Sequence, residues 1–302
     1  MTSQSKSQRF IYTGPPTRID KAVRDRYPEL GRRKIHELSE AGLIFLNGRA
    51  VQAGAEVTGG QEIAIIEFPE KIRLRPELVS SHEKLEIIVA NEELLVIDKP
   101  RMLHCIRLKF DASLTLADLI AHFHPETLSA SADLREAGLI NRLDFYTSGL
   151  ILAARNAESY KKFREASLAG QITKTYLLLV EGHAQFDETQ VATPIYTEDL
   201  DRSQAPTKFK LVKNFSLYDS PCAILEAQST RFARHQIRRH ASELGHPLVG
   251  DALYGSEQEL SQLGLGENQG FLLRSIKLEF NLDTSLPKVI QAEAGEFLFE
   301  ND

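Results

Sequence analysis

The hydrophobic residues near the N-terminus recur first at helical spacing and then at strand spacing. Two short helices are predicted, one beginning after Thr17 as its N-cap and one over residues 32–41. The Asn-Gly pair at residues 47–48 is typical of a tight hairpin turn, and a further strand is predicted over residues 62–66. The pattern therefore predicts two helices and a small hairpin sheet in this first part of the chain.

The rest of the chain alternates short apolar strands with amphipathic helices in an irregular order. Helices are predicted over residues 115–123, 156–168 and 236–244. Strands are predicted over residues 85–90, 94–97, 175–180, 209–212, 223–227 and 278–280. Because no regular βαβ repeat appears, the order of elements favours an α+β fold.

Turn-forming residues and shifts in composition predict how the chain divides into domains. We expect a polar arm over residues 1–16, a small domain over 17–67 and a linker over 68–83, where proline and serine recur. The larger domain is predicted over residues 84–302. Two domains fit the length of 302 residues, at very roughly 150 residues each.

Composition narrows the class of protein. A hydrophobic fraction of 42% and a charged fraction of 26% are typical of a globular protein and exclude a mainly disordered chain. No apolar run is long enough for a membrane span, and the N-terminus lacks the apolar core of a secretory signal. The two cysteines are far apart and lack metal-like spacing, so we expect no disulfide framework, no metal site and a cytoplasmic location.

Charge is distributed unevenly along the chain. The formal net charge is −6, yet residues 1–49 hold ten Lys or Arg and five Asp or Glu. Residues 230–240 hold four arginines, two histidines and no carboxylate. Since a polyanion binds a basic patch rather than a basic average, nucleic acid remains a possible partner.

A polar loop between two apolar segments offers an isolated carboxylate. Asp144 follows Arg142 by two residues, and Thr147-Ser148-Gly149 is predicted to form a tight turn after it. Such a loop can present Asp144 as a reactive group. The alternative interpretation is that Asp144 only caps a turn.

Two distant residues can complete a site around Asp144. Arg238, in the basic segment, can pair with the carboxylate and keep it ionised, although a solvated basic helix face is the alternative. Tyr176 begins a buried strand and becomes functional only if its hydroxyl faces the same cavity as Asp144. In the glycine-rich loop over residues 245–255, Asp251 and His246 are interpreted as stabilising a turn rather than as catalytic.

The chain resembles the RluA-type family of RNA pseudouridine synthases. The resemblance rests on Arg142-Leu143-Asp144 with Thr147-Ser148-Gly149, on Lys174-Thr175-Tyr176, on His235-Gln236-Ile237-Arg238, and on the loop from His246 to Gly255, with Asp98-Lys99-Pro100 before them. It covers about residues 85–280. It implies a mainly antiparallel or mixed central sheet with flanking helices, in the pseudouridine synthase fold.

The first domain similarly resembles an S4-like RNA-binding domain, a small α/β-hairpin module. The matching residues are Arg18 and Lys21, Arg32 with Arg33 and Lys34, and the Leu46-Asn47-Gly48 turn. Free backbone N–H groups at the start of the second helix would favour a phosphate there. The alternative is a small docking domain with a solvated basic face.

The resemblance implies that uridines in structured RNA, either rRNA or tRNA, are isomerised to pseudouridine without a cofactor. It assigns the nucleophile to Asp144, stacking on uracil and removal of the C5 proton to Tyr176, and the carboxylate clamp to Arg238. RNA contacts are expected from Asn141, Arg142, Arg234 and His235. We expect a monomer whose partner is RNA.

Three positions depart from the family pattern. Asn141 stands where a histidine is usual, Phe232-Ala233-Arg234 replaces Gly-Arg-Thr, and Leu273-Arg274-Ser275 replaces Leu-His-Ala. Because Asp144, Tyr176 and Arg238 are all present, we expect an active enzyme with an altered substrate rim.

Two other functions stay open. A non-catalytic RNA-binding protein would need the basic segments but not Asp144. A nucleoside or glycoside hydrolase would need a second carboxylate about 5 Å from Asp144, and the motif segments offer no obvious partner for it.

Overall fold

The computed structural model describes residues 7–28, 30–66, 74–107, 113–133, 135–195, 205–265 and 270–297. The chain divides into two compact units, Met1–Arg73 and Leu74–Asp302. Residues 1–6 of the predicted arm, residue 67 of the predicted small domain and residues 68–73 of the predicted linker lie outside the described residues.

The N-terminal unit packs two helices on small antiparallel sheets. The four-stranded sheet has the order β1-β6-β3-β4, and β2 pairs with β5. Its helices are α1 (Ile19–Arg26) and α2 (Arg32–Glu40), and its strands are β1 (Gln8–Ile11), β2 (Thr17–Arg18), β3 (Ile44–Leu46), β4 (Arg49–Ala50), β5 (Glu56–Val57) and β6 (Glu62–Ile65). Both helices bury their apolar faces against β3 and β6, around Ile35 and Ile63.

Two predictions for this unit are wrong in detail. Thr17 is not the N-cap of α1, because it pairs with Val57 in a two-residue strand and leaves Arg18 at the cap position. Residues 8–11, predicted as part of a polar arm, form strand β1 along β6. Phe10 packs against the core of the unit, which explains why this polar segment is ordered.

The C-terminal unit is built on a nine-stranded mixed sheet. The strand order is β11-β12-β13-β10-β14-β9-β8-β7, and β15 pairs with β14. Every neighbouring pair is antiparallel except β14 and β9. The α+β class with a mixed central sheet and flanking helices is confirmed.

Most of the strands are longer than the segments that the sequence predicts for them. The strands are β7 (Ile87–Ala90), β8 (Leu94–Lys99), β9 (Thr147–Ala154), β10 (Ile172–Glu181), β11 (Glu188–Val191), β12 (Thr207–Leu217), β13 (Ser220–Ser229), β14 (Leu273–Phe280) and β15 (Val289–Gln291). The helices are α3 (Leu116–Phe123), α4 (Ala157–Leu168) and α5 (Gln236–Glu243). Asn156 caps α4 by accepting a hydrogen bond from Ser159 N at 2.9 Å, as predicted.

Helices cover both faces of the large sheet. On one face, α3 and α5 pack over a core that includes Ile151 and Leu178. On the other face, α4 buries Phe163 against Leu150 and Leu278. Leu74 belongs to the first of these cores, so the C-terminal unit begins before the predicted boundary at residue 84.

The predicted turn over residues 147–149 is instead the start of β9. The turn lies just before it, where Thr147 N donates to Asp144 O at 3.1 Å. Gly149 has φ +98°, and a Cβ added there would lie 2.2 Å from the Ser275 carbonyl oxygen. Glycine is required because β9 and β14 approach each other closely at this point.

Candidate active site

The loop that carries Asp144 is held by side chains from distant segments. Cys105 Sγ accepts from Leu143 N at 3.2 Å and donates to Leu143 O at 3.3 Å. The ammonium of Lys99, which is fully buried, donates to Phe145 O at 3.5 Å. The residues on both sides of Asp144 are therefore fixed, while its own side chain stays 26% exposed.

A guanidinium joins two carboxylates at the centre of the site. Arg238 Nη1 donates to Asp144 Oδ2 at 3.0 Å. Arg238 Nε and Nη2 donate to the two oxygens of Asp251 at 2.7 and 2.8 Å. The guanidinium also lies 4.4 Å from the ring centroid of Phe271 and 5.1 Å from that of Tyr254. Arg238 is thus held in one orientation, with Nη1 directed at Asp144.

Asp251 is a buried partner of Arg238 that the sequence analysis does not predict. The sequence indicates a turn-stabilising role, yet the side chain is 2% exposed and accepts hydrogen bonds from Nε and Nη2 of Arg238. The thirteen-residue separation of these two positions gives no periodic pattern that would reveal the pairing. The Gly-Asp step in a glycine-rich loop was the available signal.

Tyr176 lies on β10, opposite Ser275 of β14. The pairing of these strands shifts by one residue between Thr175 and Tyr176, which is a β-bulge. Tyr176 is 7% exposed, and burial, followed by the negative charge of Asp144, strongly raises the pKa of its hydroxyl. The phenol therefore shares a site with Asp144 and stays protonated near neutral pH.

His235 also lies at this site. It stands at the N-terminal end of α5 with φ +58°, and its Nδ1 lies 3.0 Å from the Tyr254 hydroxyl. Its Nε2 lies 3.7 Å from Asp144 Oδ1 and accepts from Arg234 Nε at 3.4 Å. Burial lowers the pKa of His235, so the ring is neutral near pH 7. A non-glycine residue in the left-handed region is strained, and such residues concentrate at functional sites.

The predicted RNA-contacting residues around Asp144 separate into exposed and inward-facing ones. Arg142 and Arg234 are exposed. Asn141 is half-buried, and its Oδ1 accepts a hydrogen bond from the buried Lys174 Nζ at 3.0 Å. The Asn141 carbonyl group is therefore directed into the protein.

The basic segment before and within α5 is not a uniform charged face. Arg238 is buried between two carboxylates, and Arg239 pairs with Glu243 at 3.8 Å. His240 is fully buried and bonds through Nδ1 to Thr207 Oγ1 at 2.8 Å. The interpretation of a solvated basic patch is therefore wrong for much of this segment.

Arg274, one of the departures from the family pattern, is also a buried structural residue. Its Nη1 and Nη2 donate to the two oxygens of Asp98 at 3.0 and 2.5 Å. This pair connects β14 with β8 across β9, which lies between them in the sheet.

The basic residues predicted to bind RNA in the N-terminal unit differ in their pairing. Lys21 and Arg32 are exposed. Arg18 is paired with Asp20 at 2.9 Å, whereas Arg33 and Lys34 both pair with Glu37, at 3.2 and 3.4 Å. A phosphate at α2 would thus meet Arg32 and two further cations, Arg33 and Lys34, that already lie close to a carboxylate.

Within the described part of the chain, no group of three or more His, Cys, Asp or Glu side chains is arranged to hold a metal ion. Among the same residues, no helix has both the length and the apolar character needed to cross a membrane.

Comparison with known proteins gives a consistent result. The model of the RNA pseudouridylate synthase family matches residues 93–243, which is half of the chain. An RNA pseudouridine synthase of Aquifex aeolicus is 27% identical over 82% of this chain and 79% of its own length. The ribosomal large subunit pseudouridine synthase D of Escherichia coli is 28% identical over 79% of this chain and 72% of its own length.

A solved structure shares the fold. Human RNA pseudouridylate synthase domain containing 1 superposes with a TM-score of 0.52 at 22% identity, over 71% of this chain and 84% of that one. The matched family segment contains Asp144, Tyr176 and Arg238.

Proposed function

This chain belongs to the RNA pseudouridylate synthase family, and we propose that it isomerises uridine to pseudouridine in RNA with Asp144 as the nucleophile. The observation that carries the proposal is the partly exposed Asp144 carboxylate, which is bonded to Arg238 at 3.0 Å and lies close enough to Tyr176 to raise the pKa of its hydroxyl. A carboxylate, a fixed cation and an aromatic ring in one site suit attack on a pyrimidine nucleotide.

The reaction balances without a co-reactant. The bond between ribose C1′ and uracil N1 breaks, the uracil turns, and a bond forms between C1′ and C5. C5 loses a proton and N1 gains one. In this sequence Asp144 attacks a carbon of the bound nucleotide, either C1′ or a ring carbon, and is released when the new bond forms. The target base must first leave its stack, at a cost of a few kcal/mol.

Arg238 donates a charge-assisted hydrogen bond to the Asp144 carboxylate and fixes its rotamer. Because Asp251 takes two of its donors, the guanidinium neutralises Asp144 through a single N–H group. The carboxylate thus keeps a free oxygen for attack.

Tyr176 is proposed to stack on the uracil and to relay the C5 proton. Since burial and the charge of Asp144 raise the pKa of its hydroxyl, the phenolate is scarce near neutral pH. The hydroxyl must therefore donate its own proton as it receives another, and the nearby carboxylate is a suitable acceptor once the covalent bond to Asp144 has broken.

The variant Tyr176→Phe tests this relay. We expect kcat to fall by about a hundredfold or more, because positioned acid–base groups contribute that much. KM should change little, because the phenyl ring still stacks on the base. Tyr176→Leu is expected to raise KM as well. Wild-type kcat in Tyr176→Phe, measured by single-turnover pseudouridine formation, would contradict the relay.

We propose that the substrate is ribosomal RNA of the large subunit. The support is the name of the Escherichia coli relative, which is called a ribosomal large subunit pseudouridine synthase. Mapping pseudouridines in cellular RNA with and without this gene tests the proposal. Loss of one or more sites from large-subunit RNA is expected, whereas loss only from tRNA would overturn the substrate and loss from no RNA would favour the non-catalytic RNA-binding alternative.

The N-terminal unit is proposed to bind RNA as an S4-like domain, chiefly through Arg32 at the start of α2. Arg32→Ala should reduce the slope of log affinity against log salt by about 0.7, the value for one contact to single-stranded phosphate. Arg33→Ala should act in the same direction. Lys161→Ala, on α4 across the sheet from Asp144, is the matched control and should leave the slope unchanged. An unaltered slope in Arg32→Ala, measured by filter binding, would exclude this contact.

A further inference from the structure

Lys174 is a buried lysine that the proposed reaction does not use. It is 1% exposed and lies at the start of β10, between β13 and β14. Within the described residues, no carboxylate lies within 4.0 Å of its Nζ. A buried ammonium without an ionic partner is costly, so its retention calls for a reason.

Two segments that form the site meet at this lysine. Lys174 Nζ donates to Asn141 Oδ1 at 3.0 Å, in the loop that leads to Asp144. The same Nζ lies 5.0 Å from the ring centroid of Phe232, in the segment that leads to His235 and Arg238. Asn141 and Phe232 are two of the positions at which the chain departs from its family pattern, and both contact Lys174.

We propose that Lys174 is a positioning residue that joins the Asp144 loop to the segment before α5 through Asn141 and Phe232. The proposal rests on the proposed function, since it concerns the placement of Asp144 and Arg238 for that reaction. Leu143 is already fixed by Cys105, and Phe145 by Lys99. Lys174 adds the third attachment, on the side of the loop that carries Arg142.

Protonation of Lys174 sets the strength of this connection. Burial lowers the pKa of Lys174 to about 7. Below that pH the ammonium forms a charge-assisted hydrogen bond to Asn141 and a cation–π contact with Phe232, and above it both interactions weaken. The connection therefore loosens as pH rises through the neutral range.

The neighbouring groups do not titrate in the same way. Cys105 is the titratable neighbour that acts on Lys174, and because burial raises the pKa of its thiol, the thiol stays protonated through the neutral range. From β13 and β14, the cross-strand partners of Lys174 are Ser229 and Leu278, which carry no charge. Burial lowers the pKa of His235, so its titration affects the acid side of a pH profile. A decline in activity that begins near pH 7 and continues as the pH rises is thus assigned to Lys174.

Stability and activity should change with pH in opposite directions. An unfolded lysine has a pKa of about 10.4, so between about pH 7 and pH 10 the unfolded chain binds the proton that the folded chain has lost. Unfolding then takes up a proton, and stability from this group rises with pH across that window. Activity should fall across the same window, because the connection weakens.

The test compares Lys174→Met with Asn141→Leu and with the double variant in the full-length chain. Each single variant should lower kcat by about tenfold or more, since small displacements at a reacting group are costly, with little change in KM. The double variant should lose no more than either single variant, because both remove the same connection. Lys174→Met should also lack the rise in Tm from pH 7 to pH 9. Lys162→Met, which removes an ion-paired lysine from α4, is the control and should keep wild-type kcat.

Asn141→Asp provides a gain-of-interaction test. A carboxylate beside Lys174 should keep it protonated and move the alkaline limb of the kcat profile upward by about one pH unit or more. An unmoved limb, additive losses in the double variant, or a kcat that falls only in step with Tm would overturn the positioning role. Asp144→Asn, assayed in parallel, separates this inference from the proposed function. Activity in Asp144→Asn would reject the proposed function. An inactive Asp144→Asn together with a fully active Lys174→Met would reject only the positioning role of Lys174.

Discussion

Asp144→Asn is expected to abolish pseudouridine formation while the protein still folds and binds RNA. The amide is nearly the same size as the carboxylate but is not a nucleophile, and loss of a nucleophile typically costs at least about a thousandfold in rate. Arg238 keeps both bonds to Asp251 in this variant, so the buried guanidinium retains an ionic partner. Folding should therefore survive, since the removed charge is partly exposed.

The measurement is single-turnover formation of pseudouridine in RNA transcribed in vitro, with RNA affinity measured alongside. Asp144→Glu is the matched variant, because it keeps the charge and moves it by one methylene. It is expected to lose most activity too, since Cys105 and Lys99 hold the backbone on the two sides of this residue and prevent it from compensating. Appreciable turnover by Asp144→Asn would exclude the carboxylate as nucleophile and would favour an RNA-binding role without catalysis.

Local elements of the fold could be predicted from the sequence wherever side chains and backbone interact over a few residues. The capped start of α4 at Asn156 and the hairpin turn at residues 47–48 are examples. Thr17 shows the limit of such reasoning. Its hydroxyl suits an N-cap, but pairing with Val57, far away in the chain, draws it into a strand instead. The sequence pattern does not predict strands β11 and β15 for a related reason, because each is defined by the strand beside it.

The candidate active site also combines local motifs, which the sequence predicts, with contacts between distant residues, which it does not. The motifs that carry Asp144, Tyr176 and Arg238 could be identified because the resemblance preserves their local sequence. The supports of the site could not, because Lys99, Cys105 and Lys174 act on residues more than thirty positions away. A lone cysteine or a strand lysine carries no local signal of such a contact. The inward orientation of Asn141 follows from one of these supports and differs from the expected RNA contact.

Asp251→Asn should separate the contribution of Asp251 to the stability of the fold from its contribution to the orientation of Arg238. The neutral amide can accept only one of the two guanidinium bonds, so Arg238 becomes free to turn toward Asp144. A guanidinium that binds both oxygens of Asp144 would reduce the availability of the attacking oxygen. We therefore expect kcat to fall by about tenfold to a hundredfold, with little change in KM.

Stability should fall in the same variant, because Asp251 is buried and accepts two of the three bonds that Arg238 makes to carboxylates. The loss should stay below the cost of breaking a buried pair, typically about 3–5 kcal/mol, because Arg238 retains Asp144 as an ionic partner. Asp219→Asn, an exposed carboxylate at the tip of the β12–β13 hairpin, is the control and should change neither property. Asp251→Glu keeps the charge and serves as a second variant in case Asp251→Asn does not fold. Its Tm should lie between those of Asp251→Asn and the wild type, while its kcat should stay low because the guanidinium of Arg238 is displaced. Denaturant unfolding and single-turnover kinetics on the three variants give the answer. A wild-type kcat in Asp251→Asn, despite lowered stability, would mean that Asp251 supports the fold alone and that Arg238 needs no second carboxylate to present Asp144.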